Sequence, residues 1–520
     1  MTIENRIETI AELLSGVGVT HAFGICGSGP SLTLIGALDK KGITYINASH
    51  EASAAMMAGA ATRVSGVPAL SISIKGPGLV NAVAGISYNH FEDTPSISIS
   101  ESYGPDSPAW RMHKRIDQFG LLSPIVKQYC SISEFVDNPR DIISKTFAET
   151  PGPLHIDLFE GTSKGSQDGI KESKQFPSSL SSAISRIGAA VRPLVILGSM
   201  TKRVGLEGEI ASLKLPILTT AAARGVLSEN SPFAAGIFTG DGKEHSPEVH
   251  LLSACDLVIA IGVRTSEITG QNFGGRPILR FDCIESAHVR DFPKPIEHDI
   301  SCSFIGLKEV FSALERLEWG NDLASELRLG LFDYLNLDQW LPAQCFKVID
   351  DLKIPHALAL DTGSFCTIGE HVWRANRDRI LIGSNNGRFM GGSIPSSIGM
   401  AIAAPGIPVY CAVGDGGIQA YPAELKLIMA LKLPICILFM SDGQYGSIAC
   451  AAPDGSSMSA LMIKMPSWYR VAEAMSMNSA RCDNGASFRE IIDNWDRQSP
   501  LFIECIFDRS AYLVMTKGLR

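Results

Sequence analysis

Two acidic residues near the end of the chain, Asp415 and Asp442, each follow a strand-like apolar run. Asp415 lies in a Gly-Asp-Gly-Gly turn after the run 409–413. Asp442 follows the run 435–440, and a helix-like stretch at 423–430 separates the two strands. Such a unit places both carboxylates at the carboxyl edge of a parallel sheet, where α/β folds bind ligands. Glycine N–H groups suit a phosphate and paired carboxylates suit a hard divalent cation, so the unit predicts a Mg²⁺–diphosphate site.

Two further segments hold residues that could serve the same site. Glu51 opens an alanine-rich, helix-like stretch, although the helix dipole alone would favour a carboxylate in a first turn. Met390 lies in a glycine-rich loop at 386–395, although filling an irregular core would by itself account for a methionine. From the residues alone, a structural and a catalytic interpretation of each both stay open.

Strand-like and helix-like runs alternate along three stretches of the chain, which predicts domains with parallel sheets. A polar stretch from Thr162 to about Ser182 indicates a linker, and a charged region around 315–328 marks a second boundary. We therefore predict an α/β fold of three doubly wound domains with mainly parallel sheets, which are an N-terminal domain at 1–165, a central Rossmann-like domain at 183–320 and a C-terminal domain at 338–520.

Composition narrows the class of protein. Of the 520 residues, 45% are hydrophobic and 19% are charged, with a formal net charge of −9, which argues against a nucleic-acid partner. No apolar run approaches the ~18 residues that a membrane span needs, and the first residues lack the layout of a signal peptide. The 12 cysteines show no C-x-x-C spacing, which is typical of core residues in a reducing compartment. We expect a cytoplasmic protein that does not bind a membrane.

Over essentially its whole length, the chain resembles the thiamine diphosphate-dependent enzymes of the acetolactate synthase and 2-oxo-acid decarboxylase superfamily. Gly-Asp-Gly at 414–416 fits that family's cofactor motif, but Asp442 stands where the family usually has Asn. Residues 50–63 are similar to its H-E-x-x-A-x-x-x-A-x-G-x-A-R pattern, and 386–395 to its G-x-M-G-x-x-x-P segment. The resemblance implies pyrimidine-binding, central and diphosphate-binding domains in that order.

The resemblance also implies roles for individual residues. Glu51 would meet N1′ of the aminopyrimidine, and Met390 would wedge under the cofactor to bend it. Asp415, the side chain of Asp442 and the backbone carbonyl of Gln444 would coordinate Mg²⁺. The other implied cofactor contacts are Gly363, Ser364, Arg388, Gly414, Gly416, Gly417 and Tyr445.

Substrate contacts are expected around the first glycine-rich turn and a second polar segment. The turn contributes Ile25, Cys26 and Gly27, and the polar segment contributes His113 and Lys114. The positive or titratable character of His113 and Lys114 suits a substrate carboxylate, although a lone surface His or Lys is usually solvated. A further segment, Lys75-Gly76-Pro77-Gly78, matches the family's G-P-G helix start.

The expected enzyme is a lyase or transferase that acts on a 2-oxo acid. Loss of CO₂ would leave an enamine that adds to a second carbonyl acceptor, as in acetolactate synthase. The alternative is protonation to an aldehyde, and the stretch 442–447 resembles sulfopyruvate and phosphonopyruvate decarboxylases. A third interpretation is an inactive, regulatory homologue that binds the cofactor, against which the intact Glu51, Asp415 and Met390 argue.

Two expectations concern assembly and flavin. In the family, Glu51 of one subunit faces the diphosphate site of another, so we expect a homodimer or a homotetramer. Acetolactate synthases often hold FAD through an Arg-Phe-Asp-Asp type segment, whereas here Arg264 is followed by Thr-Ser-Glu. That departure argues against FAD.

Overall fold

The computed structural model describes residues 2–104, 107, 113–159, 179–283, 296–376, 378–453 and 456–519. In this part of the chain the strands form three sheets of six, and every ladder is parallel. Sheet residues are buried on alternating faces against two different cores, as helices on both faces require. The predicted fold class, three doubly wound α/β domains with parallel sheets, is confirmed.

The first sheet has the strand order β2-β1-β3-β4-β6-β5. Its strands are β1 (His21–Gly24), β2 (Thr44–Asn47), β3 (Leu70–Ser73), β4 (Ile97–Glu101), β5 (Gln128–Ser131) and β6 (Leu154–Leu158). The helices are α1 (Ile3–Gly16), α2 (Pro30–Lys40), α3 (Glu51–Ser65), α4 (Pro77–Phe91), α5 (Gln118–Leu122), α6 (Ile132–Asp137) and α7 (Pro139–Phe147). Helices α2 and α4 begin with proline, which suits a first turn because it needs no N–H partner there.

The second sheet has the order β12-β11-β10-β7-β8-β9. Its strands are β7 (Pro193–Leu197), β8 (Ile217–Thr219), β9 (Ala234–Ile237), β10 (Leu257–Ile261), β11 (Ile278–Asp282) and β12 (Ile296–Ser301). The helices are α8 (Leu180–Gly188), α9 (Ser199–Arg203), α10 (Glu207–Ala211), α11 (Pro247–Ala254), α12 (Phe304–Leu314) and α13 (Asn321–Leu335). The linker was expected to end at about Ser182, but α8 already begins at Leu180, where the Ser179 side chain caps the helix. Residues 160–178 lie outside the described part of the chain.

The third sheet has the order β14-β13-β15-β16-β18-β17. Its strands are β13 (Ala357–Leu360), β14 (Leu381–Gly383), β15 (Val409–Gly414), β16 (Ile435–Ser441), β17 (Asn478–Cys482) and β18 (Leu501–Ile506). The helices are α14 (Pro342–Asp350), α15 (Ser364–Val372), α16 (Ser393–Ala403), α17 (Leu425–Ala430), α18 (Gly446–Ala451), α19 (Trp468–Ala474), α20 (Gly485–Asn494) and α21 (Arg509–Lys517). The predicted strand–helix–strand unit around the two aspartates is therefore β15-α17-β16.

Close helix packing joins the first and third sheets through α3, α4 and α16. A Cβ atom at Gly399 of α16 would lie 2.2 Å from the carbonyl oxygen of Met57 in α3. A Cβ atom at Gly59 of α3 would lie 1.9 Å from Asn89 Oδ1 in α4. Glycine at both positions lets the helices approach more closely than side chains would allow, and a shared apolar core fills the remaining space.

In each sheet the chain adds its first strands on one side of the starting strand and then crosses to the other side, which gives a switch point between β1 and β3, between β7 and β10, and between β13 and β15. At such a point the helices that follow the two central strands diverge to opposite faces and leave a crevice at the carboxyl ends. The fold thus offers three candidate crevices.

Candidate active site

The β13/β15 crevice collects most of the predicted cofactor residues. The loops after the two strands are packed so tightly that a Cβ atom at Gly417 would lie 2.0 Å from Asp361 Oδ2. Asp361 in turn accepts a hydrogen bond from the N–H of Gly391, 2.9 Å from each carboxylate oxygen. A Cβ atom at Gly416 would lie 2.4 Å from Met390 Sδ. Glycine is therefore required where the three loops meet.

Asp415 is a buried carboxyl group of this crevice, like Asp361, and is 2% exposed. Its carboxylate accepts hydrogen bonds from Ser441 Oγ (3.2 Å), from the N–H of Asp442 (2.9 Å) and from the N–H of Gly443 (3.1 Å). The side chain thereby fixes the loop that follows β16. Burial raises the pKa of Asp415 to about 7, and the neighbouring Asp442 carboxylate acts in the same direction.

Asp442 faces the same space from the end of β16. Its Oδ2 accepts a hydrogen bond from Gln444 Nε2 at 3.0 Å, and burial raises the pKa of the Asp442 carboxyl. Asp442 Oδ2 and Ser364 Oγ both lie 3.2 Å from the Cβ position of Gly446, so the two oxygens converge on one region. Ser364 Oγ is buried and has no hydrogen-bond partner among the described residues.

These groups fit a diphosphate–cation ligand. Two carboxylates that are costly to ionise in each other's presence gain from a divalent cation, and an unpartnered buried hydroxyl can donate to a phosphate oxygen. The hydrogen bonds that flank Gln444 use Gly443 O and Tyr445 N and do not use the Gln444 carbonyl. The described residues contain no cluster of three or more His, Cys, Asp or Glu side chains suited to a metal.

The 386–395 loop presents Met390 to the crevice. Met390 is 45% exposed, so filling a core within this chain does not account for it. The neighbouring Arg388 has φ +49°, which is uncommon outside glycine. Its guanidinium donates to Glu370 Oε1 at 3.2 Å, and that carboxylate contributes to the raised pKa of Arg388 although burial opposes the shift. The Arg388 side chain therefore anchors the loop through its Nη1 group.

Glu51 belongs to the β1/β3 crevice. It is the first residue of α3, where the His50 side chain caps the helix by accepting the N–H of Ala52. Glu51 is 8% exposed and accepts a hydrogen bond from Asn81 Nδ2 at 3.2 Å. Its Oε1 lies 3.2 Å from the Cβ position of Gly78, at the start of α4.

Within one chain Glu51 and Met390 lie at opposite ends of α4. Glu51 touches the helix at Gly78, whereas Phe389 packs on Tyr88 with ring centroids 5.8 Å apart. About ten residues separate the two contacts, which is about 15 Å along a helix. No hydrogen bond or ion pair within the described ranges joins Glu51 to the β13/β15 crevice. Among the described residues, the link between the two regions runs through their neighbours, since the His50 and Tyr421 ring centroids lie 5.6 Å apart and Tyr421 Cδ2 lies 3.6 Å from the Cβ position of Gly391.

The predicted substrate residues line the β1/β3 crevice. Gly27 donates its N–H to Ser31 Oγ at 3.1 Å, and a Cβ atom on it would lie 2.3 Å from a methyl carbon of Ile74. Cys26 is exposed, and Ile25 donates its N–H to the Ile72 carbonyl at 3.3 Å. The structure thus places the 25–27 turn against the end of β3.

The polar segment at 113–114 approaches the same crevice. The His113 carbonyl accepts a hydrogen bond from Tyr103 Oη at 3.0 Å, and the Lys114 carbonyl lies 2.4 Å from the Cβ position of Gly76. Both residues are exposed. Sequence reasoning missed Asp361 and Glu101, whose position directly after β13 and at the end of β4 was the available signal.

The β7/β10 crevice is filled by the chain's own side chains. Glu267 is 3% exposed, and its carboxylate accepts the Ser199 N–H (2.9 Å), the Ser199 hydroxyl (2.6 Å) and the Thr220 hydroxyl (2.7 Å). Ser199 directly follows the turn after β7, where Rossmann-type sheets bind a pyrophosphate. The Arg264 guanidinium forms an ion pair with Glu149 of the N-terminal region, with Nη2 2.6 Å from Oε1. An internal carboxylate thus occupies these hydrogen-bond donors.

The fold and its crevices define a three-domain α/β protein with a glycine- and carboxylate-lined site of the kind that holds a diphosphate and a cation. Models of the thiamine pyrophosphate enzymes match the chain as N-terminal TPP binding domain, central domain and C-terminal TPP binding domain at 5–121, 180–291 and 361–505. The chain belongs to this family of thiamine pyrophosphate enzymes.

Three relatives show what kind of protein the chain is similar to. The chain is 26% identical to a probable acetolactate synthase large subunit of Methanococcus aeolicus, over 98% of this chain and 93% of the relative. It is 26% identical to the acetolactate synthase of Bacillus subtilis, over 86% and 83%. It is 23% identical to the acetolactate synthase large subunit of Lactococcus lactis, over 98% and 93%. The predicted acetolactate synthase-like membership is confirmed, and the family's TPP binding domains support thiamine diphosphate binding.

Proposed function

We propose that the protein is a Mg²⁺- and thiamine diphosphate-dependent enzyme that decarboxylates a 2-oxo acid and adds the remaining fragment to a carbonyl acceptor. The observation that carries the proposal is the pair formed by the buried Asp415 and the half-buried Asp442, with the unpartnered Ser364 hydroxyl on the Asp442 side and Met390 against Gly416. A structural carboxylate pair would be expected to carry its own Lys or Arg partner. Here the Arg509 guanidinium donates to the backbone carbonyl oxygen of Asp442 (2.9 Å) and acts on the Asp442 carboxylate through its charge.

Thiamine diphosphate, when bound in this site, would supply the nucleophilic carbon that the reaction with a 2-oxo acid requires. Asp415, Asp442 and the Gln444 carbonyl would hold Mg²⁺, with Gly416 and Gly417 N–H groups available to the diphosphate. Met390 would support the bent cofactor. Glu51 would hold a proton at N1′ of the aminopyrimidine, which is general acid–base work for a carboxylate in a poorly hydrated position.

The site is proposed to form between two copies of the chain. The separation of Glu51 from Met390 along α4 supports this, because a second subunit can bring its own Glu51 to the Met390 loop. A homodimer is then the smallest active unit, and a homotetramer would contain two such pairs. Sedimentation equilibrium with and without cofactor tests the assembly, and an active monomer would contradict it.

We propose that the enzyme works without flavin, and the position of Glu267 supports this. Titration with FAD is expected to leave the flavin fluorescence without saturable quenching. Saturable binding at micromolar FAD would contradict the proposal.

A cytoplasmic location is proposed on the cysteines. All 12 are free thiols, most of them buried, as in a reducing compartment. No helix in the described ranges is both long and apolar enough to cross a membrane.

Carboligation is favoured over simple aldehyde release by the similarity to acetolactate synthases over nearly the whole chain. An open surface depression of about 480 Å³ is lined by residues of α18 and the segment after it, which follow Asp442 in the chain. It is lined mainly by small and apolar side chains and has room for a second carbonyl compound. The non-ligating decarboxylase, suggested by the 442–447 stretch, stays the second candidate.

One assay separates these functions. The protein is mixed with thiamine diphosphate, Mg²⁺ and each of a panel of 2-oxo acids, beginning with pyruvate, and CO₂ and products are measured. A 2-hydroxy-3-oxo acid product indicates carboligation, and an aldehyde alone indicates the decarboxylase. Cofactor binding without CO₂ from any 2-oxo acid would refute both and leave the inactive homologue.

A further inference from the structure

The β1/β3 crevice contains a lysine that the proposed chemistry does not use. Lys75 lies in the turn between β3 and α4, three residues before Gly78, which touches Glu51. We propose that Lys75 is a specificity-determining residue that binds an acidic group of the substrate, one that is retained in the product. This inference rests on the proposed function and names its substrate class.

Lys75 is held in place by a buried carboxylate. Its Nζ lies 2.9 Å from Glu101 Oε2, at the end of β4, and 5.4 Å from the ring centroid of Tyr103. The Lys75 side chain is 22% exposed and that of Glu101 only 5%. The ammonium group is thus held by a buried carboxylate while part of the Lys75 side chain stays exposed, which is a preorganised arrangement for a ligand.

Glu101 does not need Lys75 as its only partner. Its Oε1 accepts the Ser31 N–H at 3.2 Å and the Ser31 hydroxyl at 2.7 Å, in the first turn of α2. A carboxylate at a helix N-terminus is stabilised by the helix dipole. An ammonium group has three N–H donors, and Glu101 takes one of them. Positive charge and hydrogen-bonding capacity therefore remain at Lys75.

The backbone around Lys75 has left-handed conformations on both sides of the crevice. Gly76 has φ +65°, and Lys114, whose carbonyl packs against it, has φ +61°. A non-glycine residue in this region is strained, and such residues concentrate at functional sites. The fold therefore holds the Lys114 backbone, which packs against Gly76, in a strained conformation.

The chemistry selects which acidic group Lys75 can serve. In decarboxylation the C1–C2 bond breaks, its electron pair stays on the C2 fragment, and the carboxylate leaves as neutral CO₂. A cation beside that carboxylate would stabilise charge in the ground state that is lost in the transition state, which slows the reaction. Lys75 therefore matches a group that keeps its charge, either the carboxylate of an acceptor 2-oxo acid or a second acidic group on the donor.

Three reactions separate these sources when kcat/KM is compared for wild type and Lys75→Met. Pyruvate with benzaldehyde as acceptor retains no acidic group in the product. Pyruvate alone retains the acceptor carboxylate, and 2-oxoglutarate with benzaldehyde retains the second carboxylate of the donor. Loss of a charged hydrogen bond is expected to lower one of the last two by about ten- to hundredfold, while the first stays within about twofold.

Three variants serve as controls. Lys40→Met removes an exposed ammonium that pairs with Glu8 at 2.8 Å, at the far end of α2, and is expected to change none of the reactions. Lys75→Arg keeps the cation and should restore most of the lost rate. If Lys75→Met unfolds, Lys75→Met combined with Glu101→Gln removes the unpaired carboxylate and allows the same comparison.

The inference is supported only when the first reaction is spared and at least one of the other two falls. Every other pattern, including an equal loss in all three, overturns it. Wild type that turns over none of the 2-oxo acids would refute the proposed function and this inference together. Turnover by wild type with an unselective Lys75→Met refutes the inference alone.

Discussion

Asparagine in place of Asp415 is expected to stabilise the protein without cofactor and to weaken cofactor binding. The pKa of Asp415 is raised from 3.8 to about 7, so its ionised form is disfavoured in the folded state. The unfolded chain then releases its proton at lower pH, and stability declines as pH rises from about 4 to about 7. A shift of this size corresponds to at most about 4 kcal/mol above pH 7.

The Asp415→Asn substitution would keep the local hydrogen bonds. The carbonyl oxygen of the new amide can accept the N–H groups of Asp442 and Gly443, and its NH₂ can donate to Ser441 Oγ. Scanning calorimetry without cofactor should therefore give a Tm that equals that of wild type near pH 4 and exceeds it by several degrees at pH 8.

In cofactor binding, the comparison between Asp415→Asn and wild type is expected to reverse, with the variant the weaker of the two. Loss of one charged contact to the cation costs about 1.5–3 kcal/mol, or about 10- to 150-fold in the Kd of Mg²⁺–thiamine diphosphate by titration calorimetry. Asp483→Asn, which alters an exposed carboxylate of the same domain, is expected to change neither quantity. An Asp415→Asn protein that binds the cofactor as tightly as wild type, or that melts lower at pH 8, would refute the reasoning.

Two further substitutions test the β13/β15 crevice and the contact of Glu149 with Arg203 and Arg264. Gly417→Ala is expected to abolish cofactor binding in titration calorimetry, because its Cβ would lie 2.0 Å from Asp361 Oδ2; a Kd within tenfold of wild type would contradict this. Burial acts to raise the pKa of Glu149, but Arg203 and Arg264 hold it below its usual value. Glu149→Gln should therefore lower the free energy of unfolding by about 3 kcal/mol at pH 7, and by less as pH falls below about 4.5, in urea titrations. An equal loss at pH 7 and pH 4 would rule out the charge-based explanation.

Local patterns were sufficient for the fold class and for one half of the site. Apolar runs of strand length with polar turns between them predicted the parallel sheets, since strands buried on both faces have few polar positions. The juxtaposition of Asp415 and Asp442 could be predicted because the carboxyl ends of neighbouring strands meet at one edge. The glycines at 416 and 417 fit the same local logic.

Long-range partners could not be predicted in this way. Glu267 reaches Ser199 across 68 residues, and Glu101 reaches Ser31 across 70, and neither pair leaves a local signal. Only the folded chain reveals that the Glu267 carboxylate lies in the β7/β10 crevice and that the Glu101 carboxylate pairs with Lys75. The exposure of Met390, which excludes a core role within the chain, likewise depends on packing that no spacing encodes.

Exchange of the C2 proton of bound thiamine diphosphate tests the central claim most directly. The exchange rate is measured by NMR for wild type and Glu51→Gln, after calorimetry has shown that both bind the cofactor. The glutamine can still accept the hydrogen bond from Asn81, so the fold of the crevice should persist. Loss of the proton-holding carboxylate is expected to slow exchange by about 10²- to 10⁴-fold. Exchange at the wild-type rate in Glu51→Gln would contradict the account.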